Sequence, residues 1–206
     1  MRRPAFRALA LLVLTASALA GCSSARHPTT ETGWTTGVDV GAVDRVLASA
    51  TVQQLTGSFL RAHPTPGSED ATLHRVGPPV LVYAVDPKFV GNPSATMRDA
   101  GIPSYIAVPV RIGARTTTDT LQLAAGSGYD PRAIATGTEE EEAARTLPAG
   151  TRLLLDYPSH TWFGWSETRV TAIRSGIYTD LRGREFDLAG FEHWLTVRQP
   201  IARPNR

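Results

Sequence analysis

The stretch IAVPVRIGARTTTDTLQLA, residues 106–124, decides the fold class. In its first half, large apolar residues alternate with other residues, which is the pattern of a strand with one buried face. These large residues are Ile106, Val108, Val110 and Ile112. Gly113-Ala114-Arg115 predicts a turn, and residues 118–124 predict the returning strand of a hairpin. Pro109 has no backbone N–H and therefore predicts an edge strand or a bulge.

Other segments also predict short strands. The apolar run Val80–Val85, between Pro79 and Pro87, is typical of a strand buried on both faces. After the turn sequence Pro148-Ala149-Gly150, strand-like composition returns in four segments, at residues 152–157, 168–174, 177–180 and 185–188. Strands that follow one another without regularly alternating helices favour an antiparallel sheet.

Two helical segments are predicted before the central hairpin. Apolar residues recur at three- and four-residue steps over residues 40–62, which predicts an amphipathic helix. His63-Pro64 ends it, because proline cannot supply the next backbone donor. Residues 93–100 predict one or two helical turns, closed by Gly101.

A further helix is predicted over residues 138–147, where Thr138 and Glu141 have the spacing of a capping box. Its run of glutamates is interpreted as a solvated helix start, which the helix dipole favours. Residues 189–198 fit either a helix or a strand. The sequence predicts one α+β domain over residues 37–206, with an antiparallel sheet of about five or more strands and two or three helices.

The N-terminus has the order of an export signal. Arg2, Arg3 and Arg7 precede an apolar run over residues 8–18. This run is about half the length of roughly 20 apolar residues that a membrane-spanning helix needs. It ends in Leu19-Ala20-Gly21-Cys22, which resembles the lipobox of bacterial lipoproteins. An ordinary secretory leader with a nearby cysteine is the alternative, and the position, spacing and small residues favour the lipobox.

The resemblance implies a subcellular location for the whole chain. Residues 1–21 would be the signal peptide, and Cys22 would receive a diacylglyceryl group as the first residue of the mature protein. Two acyl chains suffice for stable anchoring. Residues 22–36 are polar and predict a flexible tether. We therefore expect a domain bound to the cell membrane through the lipid on Cys22 and facing the extracytoplasmic side.

Composition excludes several classes of function. The formal charge of +2 belongs to the precursor, and loss of the leader's three arginines leaves 18 basic against 19 acidic residues. A nucleic-acid partner is therefore not expected. The single cysteine, once lipidated, leaves no thiol for catalysis or disulfides. No cofactor is predicted, because the glycines of residues 125–128 lack a phosphate-binding pattern, and no metal is predicted, because the five histidines are scattered.

The segment DYPSHTWFGWSE, residues 156–167, has the most unusual composition. It is interpreted as a loop between two strands, and loops on a rigid scaffold often carry function. Trp162, Trp165 and Glu167 are its candidate ligand-binding residues, because aromatic rings beside polar groups suit sugar or peptide ligands. The alternative is that the aromatic residues only pack within a sheet.

The same segment contains the residue types of a nucleophilic site, with Asp156, His160 and Ser166 as candidate acid, base and nucleophile. The sequence around Ser166 lacks the second glycine of a nucleophile elbow, and the three residues are crowded together. Two hypotheses follow. The first is a non-catalytic envelope module that binds a protein, peptide or cell-wall partner, and the second is a small envelope hydrolase that uses residues 156–167.

Overall fold

The computed structural model describes residues 37–64 and 70–198, so the predicted signal peptide, Cys22 and the whole predicted tether lie outside the described residues. Within these ranges the chain forms four α-helices and nine strands. The helices are α1 (Val40–Leu47), α2 (Ala50–Ala62), α3 (Glu139–Arg145) and α4 (Leu188–Val197). The strands are β1 (Leu73–Arg75), β2 (Val80–Val85), β3 (Gly101–Ile112), β4 (Asp119–Ala124), β5 (Pro131–Thr136), β6 (Arg152–Asp156), β7 (Thr161–Trp165), β8 (Val170–Ser175) and β9 (Glu185–Phe186).

All nine strands belong to one sheet, in the order β5-β4-β3-β2-β6-β7-β8-β9, with β1 also paired to β3. Two antiparallel meanders meet where β2 and β6 run parallel. Every other pairing is antiparallel, including the predicted hairpin of β3 and β4. The predicted α+β fold with an antiparallel sheet is therefore confirmed.

The long helix predicted over residues 40–62 is in fact two helices. Helix α1 ends at Leu47, and Ser49 begins α2 by accepting a hydrogen bond from the Val52 N–H at 3.3 Å. A serine hydroxyl at this position satisfies a donor that the first turn of a helix leaves unpaired. The apolar spacing continues across the break, which is why periodicity alone does not show it. The predicted end at His63-Pro64 is confirmed.

Pro109 predicted an edge strand or a bulge, and the edge alternative is wrong because β3 lies inside the sheet. All six residues from Tyr105 to Val110 are buried, so both faces of the strand are covered. The Pro109 carbonyl accepts from the Val76 N–H at 2.9 Å. In an antiparallel strand, the N–H and C=O of one residue point to the same neighbouring strand. The N–H that Pro109 lacks would therefore point to the gap between β1 and β2. The proline is thus tolerated at a break in pairing on an interior strand.

Three further predictions are corrected or resolved. Residues 177–180, predicted as a strand, contain no strand, and the last two of them begin the 3-10 turn Thr179–Leu181. The segment 156–167, interpreted as a loop, contains the interior strand β7. The open choice over residues 189–198 is resolved as helix α4. Strand β5 is not among the strands predicted from the sequence. No helix in the described part of the chain has the length and apolar character needed to cross a membrane.

The start of α3 differs from the predicted capping box. Thr138 makes no side-chain bond to the helix backbone, and its hydroxyl donates to Glu142 at 3.1 Å. Glu140 is also not solvated, because it is only 7% exposed. It accepts from the Tyr105 hydroxyl at 2.9 Å, and the Gln122 amide lies 3.5 Å away. This one glutamate of the run therefore anchors α3 to the sheet.

The helices divide unequally between the two faces of the sheet. Apolar residues of α1, α2 and α4 pack on one face, which we call the closed face. The closed face has two main core clusters, and Leu81 of β2 packs against both of them. The other face, which we call the open face, is covered by α3 through Ala143, Ala144 and Leu147. A short helix over a wide sheet leaves part of this face accessible.

Candidate functional site

Asp156, the predicted acid, is a structural residue of the closed face. It is completely buried, and the Arg198 guanidinium donates to both of its oxygens, at 2.7 and 2.8 Å. The Ser159 hydroxyl donates to the same carboxylate at 2.5 Å. Arg198 also donates to the Leu195 carbonyl. These contacts fix the end of α4 against β6 and leave no accessible oxygen for catalysis.

Ser166, the predicted nucleophile, lies at the other end of β7 from His160. Its hydroxyl donates to the Arg169 carbonyl at 3.1 Å and accepts from the Arg169 N–H at 3.1 Å. A strand advances about 3.3 Å per residue, so the length of β7 separates Ser166 from His160. The structure therefore does not bring the three predicted catalytic residues together.

The predicted ligand-binding residues are also dispersed. Trp162 and Trp165 are 1% and 0% exposed, so neither ring forms a surface. The Trp165 indole N–H donates to the Met97 carbonyl at 2.7 Å, whereas the Trp162 indole nitrogen is buried without a hydrogen-bond partner among the described residues. Glu167 is exposed and pairs with Arg98 at 2.6 Å. The rings agree with the alternative interpretation, that of packing within a sheet.

His160 is the one predicted residue that belongs to an exposed polar cluster, on the open face. Its Nε2 lies 2.8 Å from a Glu139 oxygen, and its ring meets the edge of Trp162 with the centroids 6.2 Å apart. The backbone of His160 has φ of 49°, a left-handed conformation that costs a non-glycine residue about 1 kcal/mol or more. The tight turn before β7 holds this conformation.

Arg174 of β8 extends this cluster. Its guanidinium lies 3.5 Å from Glu139 and donates to Glu142 at 3.0 Å. The acceptors come from the first turn of α3 and the cation from β8, so the pairs tie the helix to the strand. All these side chains are about one third to one half exposed, and exposed ion pairs contribute only about 0–1 kcal/mol each. These ion pairs therefore contribute little to the stability of the fold, and their main effect is to place charged groups on the open face.

A pocket of about 440 Å³ lies beside this cluster, between α3, β8 and the 3-10 turn at Thr179–Leu181. We call it the α3–β8 pocket. It combines two guanidinium groups, one carboxylate, three hydroxyls and two apolar side chains. Its lining residues are Glu142, Ala143, Thr146, Ile173, Arg174, Ser175, Thr179 and Arg182. Sites of this size, with a few convergent polar groups, suit small ligands.

The two arginines of the pocket differ in how they are used. Arg174 is engaged by Glu139 and Glu142. Arg182 is exposed, and no acidic residue in residues 37–64 or 70–198 pairs with it. Because Arg182 is always charged at physiological pH, the pocket presents a cation whose partner must be solvent or a ligand.

Two larger cavities differ from this pocket in how their arginines are engaged. The one between α1, α2 and β1, of about 630 Å³, contains Arg75, whose guanidinium donates to both oxygens of Asp44. This pair lowers the pKa of the Asp44 carboxyl. The second cavity, of about 620 Å³, lies between β9 and α4, where Arg169 pairs with Glu185 at 2.9 Å. In the second cavity the Arg184 guanidinium also lies over the Phe186 ring, 5.0 Å from its centroid. The guanidinium groups of both cavities therefore contact an acidic or aromatic side chain of the fold, and the α3–β8 pocket is the better candidate for binding an anion.

Sequence reasoning missed most of the residues around this pocket. Glu139 and Glu142 were assigned to a solvated helix start, and Arg174 and Arg182 carried no motif. The only signal was the concentration of acids at residues 139–142, whose arginine partners are distant in sequence. No family model, no curated protein and no solved structure matches this chain.

Proposed function

We propose that the mature protein is a non-catalytic binding module of the cell envelope, held at the membrane by lipid on Cys22, with the α3–β8 pocket as its ligand site. One observation carries the proposal. The pocket is accessible and contains Arg182, which has no acidic partner in the described ranges, while Asp156 and Ser166 are already bonded within the fold. A protein, peptide or cell-wall component of the envelope is the partner class.

The hydrolase alternative lacks a matching geometry in the described residues. A general base must lie within about 3 Å of the group whose proton it takes. His160 has Glu139 on Nε2, and none of the described hydroxyl groups is hydrogen-bonded to its ring. Ser159 is adjacent in sequence, but its hydroxyl is buried and donates to Asp156. These contacts favour binding over catalysis.

A serine-directed fluorophosphonate probe separates the two functions. We expect no labelling of the full chain beyond the level seen after heat denaturation, because the Ser166 hydroxyl is bonded to Arg169 and has no base. The Ser166→Ala variant serves as the control. Labelling of the native chain that this substitution removes would overturn the binding-module proposal in favour of the hydrolase.

The membrane anchor rests on the sequence of residues 1–22 and has its own test. Cys22→Ala removes the thiol that would receive the lipid, so we expect the variant to lose incorporation of labelled palmitate and to leave the membrane fraction. Ser23→Ala is the matched control, because it changes the neighbouring residue and leaves the thiol. Unchanged labelling and fractionation of Cys22→Ala would contradict the anchor.

A further inference from the structure

We propose that the α3–β8 pocket recognises a monoanionic ligand with a free carboxylate and a small apolar body, such as the C-terminal end of a short peptide. This inference rests on the proposed function, since it names the chemistry of the same site. Arg182 would hold the carboxylate, Arg174 would lie beside it, and Ile173 would contact the apolar part. Charge, the shape of β8 and the available donors support this choice.

The charge of the pocket favours one negative group. Arg174 and Arg182 contribute two positive charges, and Glu142 contributes one negative charge. A guanidinium offers a planar fork of N–H donors that matches a carboxylate in a bidentate arrangement. Glu142 lies in the same lining, so it opposes a second negative charge on the ligand. A carboxylate therefore fits better than a phosphate dianion.

A bulge in β8 explains why a cation and an apolar side chain share this pocket. Trp162 pairs with Arg174, and Phe163 pairs with Ala172, so Ile173 is an extra residue in β8. A bulge disturbs the alternation of side chains along a strand. Ile173 packs with the core beneath α3, and Arg174 bonds Glu142 of α3. Two consecutive residues thus both face α3, which gives the pocket an apolar floor beside a charge.

The hydroxyls divide into structural and available groups. Ser175 is used by the fold, because its oxygen accepts from the Tyr178 N–H at 2.9 Å and pairs with the Thr161 hydroxyl at 2.9 Å. Thr146 donates to the Ala143 carbonyl at 2.8 Å. The Thr179 hydroxyl has no hydrogen-bond partner within the described ranges. It is three residues from Arg182 and supplies a second donor for the carboxylate.

The test uses the purified full chain in detergent with two matched probes, N-acetyl-alanyl-alanine and its C-terminal amide. Titration followed by calorimetry or NMR gives the dissociation constants. At about 0.3 kcal/mol per heavy atom, a ligand of this size binds in about the millimolar range. We expect the carboxylate probe to bind roughly tenfold or more tightly than the amide, because a charge-assisted bond is lost with the amide.

Two substitutions locate the effect. Arg182→Gln should weaken binding of the carboxylate probe by about tenfold to a hundredfold and leave the amide unchanged. Arg145→Gln is the matched control, because Arg145 is an exposed arginine on α3 outside the pocket lining, paired with Glu141. We expect it to change neither constant.

The other outcomes are distinguishable. Equal binding of both probes that Ile173→Asp abolishes would overturn the carboxylate inference and leave the pocket as a ligand site. Tighter binding of inorganic phosphate than of the carboxylate probe would overturn the inference in the same way. Absence of binding by all three probes, or binding unaffected by both Arg182→Gln and Ile173→Asp, would contradict the inference and the proposed pocket together.

Discussion

The two faces of the sheet are built from different chemistry. On the closed face, Phe163, Phe191 and Trp194 form a compact aromatic core, with Phe163 5.3 Å from the Phe191 ring and 5.2 Å from the Trp194 ring, both edge to face. On the open face, α3 is held partly by side-chain bonds, such as that from Tyr105 to Glu140, and by exposed ion pairs. The closed face buries more apolar side chains, whereas the α3–β8 pocket lies on the open face.

This difference separates stability from binding. Buried aromatic side chains stabilise a fold strongly, but a ligand in solution cannot contact them. Exposed charges add little stability but can be satisfied by an incoming group. We therefore expect substitutions on the closed face to change the free energy of unfolding most, and those around the α3–β8 pocket to change binding with small effects on folding.

The largest expected effect comes from removing an aromatic ring of the closed face. Phe163→Ala should lower the free energy of unfolding by about 3–5 kcal/mol, because it leaves a cavity among rings that cannot collapse fully. Ile173→Ala on the open face should cost only about 1 kcal/mol, since that side chain is only partly buried. Urea denaturation measures both. Equal losses would show that the two faces contribute alike.

Next is the buried ion pair of the closed face. Arg198→Leu should cost about 3–5 kcal/mol, because it leaves the Asp156 carboxylate buried without its cation. The double variant Asp156→Leu/Arg198→Leu should recover part of this loss, since no charge is then left unpaired. Chemical denaturation of both variants checks the order. If Arg198→Leu costs less than about 1 kcal/mol, the structural role given to Asp156 is wrong.

A smaller effect than that of Phe163→Ala or Arg198→Leu is expected at the buried hydrogen bond beneath α3. Tyr105→Phe should cost about 1–3 kcal/mol at neutral pH, because Glu140 loses its closest hydrogen-bond donor. Burial, reinforced by Glu140, raises the pKa of the Tyr105 hydroxyl. The neutral hydroxyl therefore stabilises the fold fully below the unfolded pKa of about 10, and this contribution is lost as pH rises above it.

Denaturation at several alkaline pH values tests this sign. We expect the free energy of unfolding to fall above pH about 10 and to fall less steeply in Tyr105→Phe. Tyr157→Phe is the control, because Tyr157 is 53% exposed. A Tyr105→Phe profile parallel to that of the unsubstituted chain would contradict the raised pKa.

Much of the fold could be predicted from local patterns. The hairpin of β3 and β4 follows from the alternation in residues 106–124, and β2 follows from an apolar run between prolines. The break before Ser49 could not be predicted, because the apolar spacing continues through it. For Pro109, the sequence shows that the residue lacks a backbone N–H, but it does not show which neighbouring strand this position would face.

The sequence by itself determined the α+β class, because the periodicity of apolar residues is a property of consecutive residues. The export signal at the N-terminus stays a prediction from the same kind of local pattern. Only the tertiary structure decided the site. It separated Asp156, His160 and Ser166 and brought Glu139, Glu142, Arg174 and Arg182 to one face. The physical reason is that pairing of β7 with β8, and packing of α3 on the sheet, join charges that are more than thirty residues apart.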